Sequence, residues 1–244
     1  MKNKHITIGI LGGIGPEATG SFYLKLIKEI QKQKLVKSNT DYPRMIINSI
    51  PAPELTNGKI TTAELRPYIK GLQELENYGV DFIVMACNTI HLYHDLLQRK
   101  IGVPILNLRD AVEETIKGNK AGIVSIFGTP ATVKNGLYQF ESVKYLNPAG
   151  KDLKRLSIAI ENFNKGKQRG RQISNVNKLV SKYAKRGSGI IILGCTEISL
   201  MLKESKVSRI DTLDILALAT IKKFQEMKKR LDVIAPLQEP HRDL

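Results

Sequence analysis

The sequence contains little cysteine and no long apolar run. Its 244 residues include only two cysteines, Cys87 and Cys195, which excludes the disulfide framework of a small secreted scaffold. No apolar stretch approaches the roughly 20 residues that span a bilayer. Residues 1–5 are basic, and glycines and a proline follow at 9–16, where a signal peptide would have its apolar core. These absences predict a cytoplasmic protein with no membrane partner.

Acidic residues are scarce beside the basic ones. The chain has 38 lysines and arginines against 23 aspartates and glutamates, which gives a formal net charge of +15 at pH 7. Such an excess is found in proteins that bind nucleic acids, acidic lipids or small anions. The basic residues form short clusters without interleaved aromatic residues, at 28–37, 165–171 and 222–230, and we interpret them as solvated faces. No nucleic-acid partner is predicted.

Short β-rich apolar runs alternate with longer segments of helical periodicity, which is the pattern of an α/β fold with parallel sheets. The predicted strands are residues 5–11, 45–50, 80–86, 103–108, 121–127, 143–146, 190–194 and 207–210. The apolar face of Phe22, Leu26 and Ile30 indicates the first helix. The other predicted helices are residues 67–79, 89–98, 131–140, 153–164, 173–186, 197–203 and 212–230.

Two kinds of segment occur twice in the same order. An apolar run precedes GPEAT at 15–19 and GTPAT at 128–132, and a second run precedes CNT at 87–89 and CTE at 195–197. The offsets between the paired motifs are 113 and 108 residues. Near-equal offsets predict two pseudo-symmetric α/β halves with the active site in the cleft between them. We predict that the first half is residues 1–112 with 212–231, the second half is 113–211, and 232–244 is a flexible tail.

Each cysteine comes directly after a predicted buried strand, where open α/β sheets bind ligands. A single free cysteine is usually a small buried apolar residue, but the symmetric placement of this pair favours a functional role. A thiol at a helix N-terminus has a pKa lowered from roughly 8.5 toward neutrality. Two such thiols on opposite walls of a cleft can bracket one carbon atom, so that one removes a proton while the other delivers one to the opposite face. We expect the sulfur atoms to lie about 7 to 10 Å apart.

Four motifs resemble those of the aspartate/glutamate racemase family, particularly its aspartate racemase branch: 8–19, 86–91, 128–132 and 194–197. The resemblance extends from about residue 5 to residue 228. It implies an amino-acid racemase that needs neither pyridoxal phosphate nor a metal and that acts on a small amino-acid or carboxylate substrate. It also implies two four-stranded parallel sheets, a homodimer, and Cys87 and Cys195 as the catalytic acid/base pair.

The same resemblance assigns residues to the substrate. Those implied to hold its α-carboxylate are Asn88, Thr89, Thr129 and Thr132. Backbone N–H groups at the following helix starts would help them, and the same side chains are also suited to helix capping.

Three further residues lie in or beside these motifs. Thr196 is placed in the same binding group. Two roles stay open for Glu197: it could accept a hydrogen bond from the substrate amino group, or it could cap its helix. His91 matches the family's motif, and it is open between tuning Cys87 and a structural role.

The glycine-rich segment at 13–18 also matches a dinucleotide-binding fingerprint. Pro16 argues against that function, because it removes an N–H that a pyrophosphate would use. No acidic residue ends a plausible second strand about 20 residues on. We therefore interpret the loop as the floor of the cleft or a small-carboxylate site, and Glu17 as a charge that favours the helix start.

The loop at 48–55 departs from the family pattern. Aspartate racemases generally carry a basic residue there, which would pair with the side-chain carboxylate of the substrate, whereas this chain has Leu55. The nearest basic candidates are Lys59 and Arg66, and Lys165 is the candidate for a second family lysine. Aspartate is therefore disfavoured as substrate, and glutamate, another amino acid or a non-amino carboxylate stays open.

Two alternatives to a racemase are kept. One is an isomerase or decarboxylase of the same fold that acts on another small carboxylate, and retention of both cysteines argues against it. The other is a non-catalytic protein that binds anions or nucleic acid. The sequence has no helix-turn-helix, RNP-like or zinc-ligand pattern, and this argues against the second alternative.

Overall fold

The computed structural model describes residues 6–55, 60–118 and 122–234, with side chains to residue 231. Its strands are β1 (Thr7–Gly12), β2 (Arg44–Ser49), β3 (Phe82–Met85), β4 (Ile123–Gly128), β5 (Lys144–Tyr145), β6 (Ser188–Gly194) and β7 (Arg209–Asp211). Its α-helices are α1 (Pro16–Lys32), α2 (Thr62–Asn77), α3 (His94–Gln98), α4 (Leu108–Lys117), α5 (Pro130–Lys134), α6 (Gly150–Asn164), α7 (Arg169–Lys185), α8 (Thr196–Met201) and α9 (Thr212–Ile234). Short 3-10 helices lie at Asn39–Asp41 and Thr89–Tyr93.

The strands form two parallel sheets with the orders β2-β1-β3 and β5-β4-β6-β7. Strands β1 and β4 occupy equivalent central places, and β3 and β6, which precede the two cysteines, lie beside them. This arrangement confirms the predicted α/β class and the pseudo-symmetry of the halves.

The first sheet has three strands within the described residues, where the resemblance implied four. The segment predicted as a strand at 103–108 forms only an isolated parallel bridge between Ile83 and Ile105. Asn107 ends the extended segment, because its side chain accepts a hydrogen bond from the N–H of Arg109 and caps α4 at 3.0 Å. Helix α4 was not among the predicted helices.

Two helix boundaries differ from the predictions for local reasons. Helix α2 begins at Thr62, because Thr61 and Glu64 form a reciprocal capping box that precedes Pro67. Helix α5 ends at Lys134 and does not reach residue 140, since the chain turns at Gly136, where φ is +65°.

One apolar core contains residues from both halves. It includes Ile8 of β1, Val124 of β4 and, from the helices packed on them, Phe22, Val112 and Leu216. Each fully buried side chain of this size contributes roughly 1.5–3 kcal/mol. The shared core therefore fixes the two sheets relative to each other, and with them the walls of the cleft.

The last helix returns to the first half of the chain. Helix α9 packs against α1 and α4, and Lys222 pairs with Glu114 at 3.6 Å. The assignment of residues 212–231 to the first half stays a prediction, as does the division at residues 112 and 212. Helix α9 continues through Ile234, into the segment predicted as a tail, and residues 235–244 lie outside the described residues. Within the described chain, no helix has both the length and the apolar character to cross a membrane.

Candidate active site

A cavity of about 160 Å³ lies where the carboxyl ends of the two sheets meet. An engineered cavity of similar volume in another protein holds one benzene molecule, so this space suits one small ligand. Its wall is built from both halves by Gly13, Ile14, Gly15, Ala52, Glu54, Leu55, Cys87, Asn88, Thr89, Thr129, Ile160, Glu161, Asn164, Cys195, Thr196 and Glu197. All the predicted site residues except Thr132 line it.

The glycine-rich loop after β1 forms one wall by close backbone approach. Gly13 has φ +89°, and a Cβ added there would lie 2.2 Å from the carbonyl oxygen of Ile50. A Cβ on Gly15 would lie 2.6 Å from Oε1 of Glu197 and 2.9 Å from Oδ1 of Asn164, both in the other half. The backbone clash and the positive φ require glycine at position 13, and Gly15 lets the loop approach two side chains of the opposite half closely, which agrees with its interpretation as the floor of the cleft.

Glu17, at the start of α1, also joins the two halves. Its carboxylate accepts two hydrogen bonds from Arg169 on α7, at 2.7 and 2.8 Å. The Arg169 guanidinium in addition lies 3.8 Å from the centre of the Phe163 ring. The position of Glu17 in the first turn matches the predicted helix-start role, and its pairing across the halves is a second role that the sequence did not indicate.

Three threonine hydroxyls form a network that joins the halves behind the cavity. Oγ1 of Thr89 lies 3.1 Å from Oγ1 of Thr129 and 3.1 Å from Oγ1 of Thr132, and Thr129 also caps α5. Thr132 is fully buried and does not line the cavity, so it supports the hydroxyls of Thr89 and Thr129, which do line it. Helix capping and cavity lining are thus combined in Thr129.

Asn88 is held by a residue that was not predicted. The hydroxyl of fully buried Tyr138 donates a hydrogen bond to Oδ1 of Asn88. Burial raises the pKa of Tyr138, so the phenol stays protonated and keeps this donor role. With Oδ1 engaged, the amide nitrogen of Asn88 is the group left to donate into the cavity.

Glu197 places a buried carboxylate beside one thiol. Its Oε2 accepts hydrogen bonds from Sγ of Cys195 at 2.8 Å and from Oγ1 of Thr196 at 3.0 Å. The residue is 7% exposed and stands in the first turn of α8, so it lines the cavity and also favours the helix start. Thr196 thus orients this carboxylate in addition to lining the cavity.

The pKa values of both thiols are raised in this structure. Burial raises the pKa of Cys87 to about 12, and the charge of Glu197 adds to the effect, while N–H groups of Ile90 and Thr89 lower it. Burial, followed by the charge of Glu197, raises the pKa of Cys195 well above its usual range. The expectation of near-neutral thiols is therefore wrong here. The helices that follow the cysteines are only five and six residues long, and desolvation outweighs their dipoles.

His91 is held by the backbone and does not line the cavity. Its Nε2 lies 3.3 Å from the carbonyl oxygen of Met85, and its Nδ1 accepts a hydrogen bond from the N–H of Leu108 at 3.4 Å. Burial lowers the pKa of His91 to about 3, so the ring is neutral at pH 7. These contacts assign His91 a structural role.

We expect His91 to make the fold sensitive to mild acid. Its pKa is about 3 in the folded chain, below the unfolded value of 6.5, so only the unfolded chain takes up a proton between these values. Stability therefore falls as the pH drops, by about 2 kcal/mol from this group between pH 7.5 and pH 5. Denaturant unfolding of the native chain and of His91→Gln should show a shallower pH dependence in the variant. Equal pH dependences would contradict this role.

The basic candidates for a substrate carboxylate are absent from the described cavity wall. Leu55 is 5% exposed and lines the cavity. This agrees with the expectation that position 55, where the family resemblance implies a basic residue, faces the substrate. Arg66 lies in a separate groove beside α2, and Asn164, not Lys165, faces the cavity. Lys59 lies outside the described residues. Glu54, Glu161 and Asn164 are lining residues that sequence reasoning missed.

The fold and this cavity define an α/β protein of two facing parallel sheets with a small-ligand site between them. A model of the Asp/Glu/hydantoin racemase family matches residues 11–220. The broad specificity amino-acid racemase RacX of Bacillus subtilis (strain 168) is 32% identical over 232 residues, which are 89% of this chain and 97% of that protein. The chain belongs to the Asp/Glu/hydantoin racemase family and is an amino-acid racemase.

Solved structures agree with this assignment. An aspartate racemase homologue from Pyrococcus horikoshii OT3 is 29% identical with a TM-score of 0.68, and the match covers 90% of this chain and 99% of that one. The aspartate racemase of Picrophilus torridus has a TM-score of 0.75 at 23% identity, covering 93% and 98% of the two chains, and shares the fold.

Proposed function

We propose that this racemase interconverts the enantiomers of a small α-amino acid without pyridoxal phosphate, by proton transfer at Cα between Cys87 and Cys195. One observation carries the proposal. The only two thiols of the sequence line a single cavity, one from each half, and each follows an equivalent strand of its sheet. A symmetric pair of this kind suits a reaction that must run in both directions.

The polar lining supports an orientation for the substrate. The amide of Asn88 and the hydroxyls of Thr89 and Thr129 are donors suited to the α-carboxylate. Glu197 is suited to accept from the α-ammonium group, which places Cα close to Cys195. In this orientation the other lining residues, among them Leu55 and Ile160, are left for the side chain of the substrate.

The substrate also supplies the positive charge that the thiols lack. Desolvation and the Glu197 charge oppose a thiolate, and an ammonium group bound beside Glu197 offsets that charge. One cysteine, as thiolate, then takes the Cα proton, and the other donates its own proton to the opposite face of the carbanion. The two cysteines exchange protonation states, and no net proton is gained or lost.

Glu197→Gln is expected to shift ionisation of Cys195 to lower pH. The substitution removes the carboxylate charge that raises the pKa of this thiol, so the thiolate forms more readily. In a Cys87→Ala background Cys195 is the only thiol, and the pH dependence of its alkylation by iodoacetamide reads its ionisation directly. Glu161→Gln is the control, since Glu161 lines the cavity without contacting this thiol. An unchanged or higher midpoint in Glu197→Gln would contradict the assigned interaction.

The function is tested by incubating the purified protein, without added cofactor, in D₂O with each proteinogenic amino acid. Exchange of the Cα proton for deuterium, followed by NMR and accompanied by loss of optical purity, is the expected result for at least one amino acid. Exchange that needs added pyridoxal phosphate, or none with any amino acid, would contradict the proposal. The cytoplasmic location and the homodimer belong to this proposal as well, and they rest on the sequence composition and on the family resemblance.

A further inference from the structure

The charged side chains in the described cavity wall all have the same sign. Glu54, Glu161 and Glu197 line the cavity, and no lysine, arginine or histidine does so in the ranges that the structure describes. The composition of the chain predicts the opposite, because basic residues outnumber acidic ones by 38 to 23. The acidic wall is thus a local property of the site.

These carboxylates have no cationic partner among the described residues. The ion pairs of the described chain involve other acids. Within the same ranges, the side-chain hydrogen bond that Glu161 accepts comes from the hydroxyl of Ser157, at 3.1 Å from its Oε1. A substrate with a second carboxylate would bring a like charge into this wall, whereas a substrate with a second cation would neutralise it.

The three acids differ in what they contact. Glu197 contacts Cys195. Glu54, an exposed residue on the loop after β2, and Glu161, on α6, line the cavity without contacting either cysteine. Leu55 and Ile160 line the same cavity with apolar surface, which suits a methylene stem that carries a charged end group.

We propose that the substrates of this racemase are amino acids whose side chain is a methylene stem ending in an ammonium group, as in lysine and ornithine. Glu54 and Glu161 are the specificity-determining residues that receive the terminal ammonium. This inference rests on the proposed racemisation and adds the substrate class to it.

The test compares kcat/KM for L-lysine, L-ornithine, L-norleucine and L-glutamate, measured by chiral separation and by Cα–H exchange. Norleucine matches the stem of lysine without the terminal charge. The native enzyme is expected to prefer lysine or ornithine to norleucine by about tenfold at most, since two partly exposed ion pairs are each weak. It is expected to prefer them to glutamate by a larger factor, since glutamate brings a like charge to the two carboxylates. Added salt should lower kcat/KM for lysine and leave norleucine nearly unchanged.

The variants Glu54→Gln and Glu161→Gln test whether these two carboxylates cause the preference for a terminal ammonium group. Each variant is expected to lower kcat/KM for lysine by about three- to tenfold, leave norleucine within about twofold, and raise glutamate. Glu141→Gln is the matched control, because Glu141 is exposed and lies outside the cavity wall.

The outcomes separate this inference from the proposed function. Equal losses for lysine and norleucine in the two variants, or a native preference for glutamate or aspartate over lysine, would overturn the substrate class and leave racemisation standing. Failure of Cα exchange with every amino acid would overturn the proposed function itself.

Discussion

Replacing Cys87 with alanine is expected to lower kcat for racemisation by at least about a thousandfold in both directions, and Cys195→Ala is expected to do the same. In the proposed mechanism each direction needs one base and one acid on opposite faces of Cα, so neither cysteine is dispensable. Because the chain has no other thiol, no neighbouring cysteine can replace the missing one. The measurement is the initial rate from each pure enantiomer.

Serine variants separate chemistry from packing. Cys87 and Cys195 are both buried, at 8% and 4% exposure, so alanine leaves a small void, whereas serine nearly restores the volume. The loss in Cys→Ser is nonetheless expected to be almost as severe, since a hydroxyl is a much weaker acid than a thiol. Thermal unfolding of each variant checks that the fold persists.

Alkylation provides an independent check of the pair. One equivalent of a thiol alkylator is expected to inactivate the enzyme, and substrate is expected to slow the inactivation. A single Cys→Ala variant that keeps native turnover in both directions would contradict the two-base mechanism.

Leu55→Arg is expected to raise kcat/KM for aspartate by roughly 10- to 150-fold, the equivalent of about 1.5–3 kcal/mol for a charge-assisted hydrogen bond. Leu55 lines the cavity at the position where the family resemblance implies a basic residue. Arginine there can extend past the apolar wall and offer two parallel donors to the side-chain carboxylate of aspartate.

The double variant Glu54→Gln with Leu55→Arg provides a comparison for Leu55→Arg. The carboxylate of Glu54 lines the same cavity, and it would compete with aspartate for an arginine at position 55. The gain is therefore expected to be larger in Glu54→Gln with Leu55→Arg than in Leu55→Arg alone. Leu55→Met controls for the change in side-chain length, and glutamate and an uncharged amino acid of similar length serve as comparison substrates. A native kcat/KM for aspartate that exceeds the others by a hundredfold would contradict the expectation that Leu55 disfavours aspartate.

Much of the architecture could be predicted because it is encoded locally. Apolar runs and helical periodicity indicated the α/β class, and the repeated motifs indicated two equivalent halves. The motifs also placed Cys87 and Cys195 after equivalent strands, and both line the cavity. The helix boundaries were less predictable, since Thr61 and Glu64 start α2 through a side-chain contact that a pattern of apolar residues does not register.

The residues that sequence reasoning missed are joined to the site by distant contacts. Tyr138 reaches Asn88 across 50 positions, and Arg169 reaches Glu17 across 152. Glu161 and Asn164 belong to a helix whose pattern shows only that it is amphipathic, so their facing the cavity depends on where α6 lies against the first half.

The amino-acid sequence by itself determined that Cys87 and Cys195 follow strands of this protein. An apolar run and the motif after it are neighbours in the chain, so their order can be read without the fold. The tertiary structure alone decided the thiol pKa values, the neutral structural His91 and the acidic sign of the cavity wall. Desolvation and Coulomb interactions depend on what surrounds a group in space. The surroundings of Cys195 and Glu161 come from segments that are far apart in the chain and meet only in the fold.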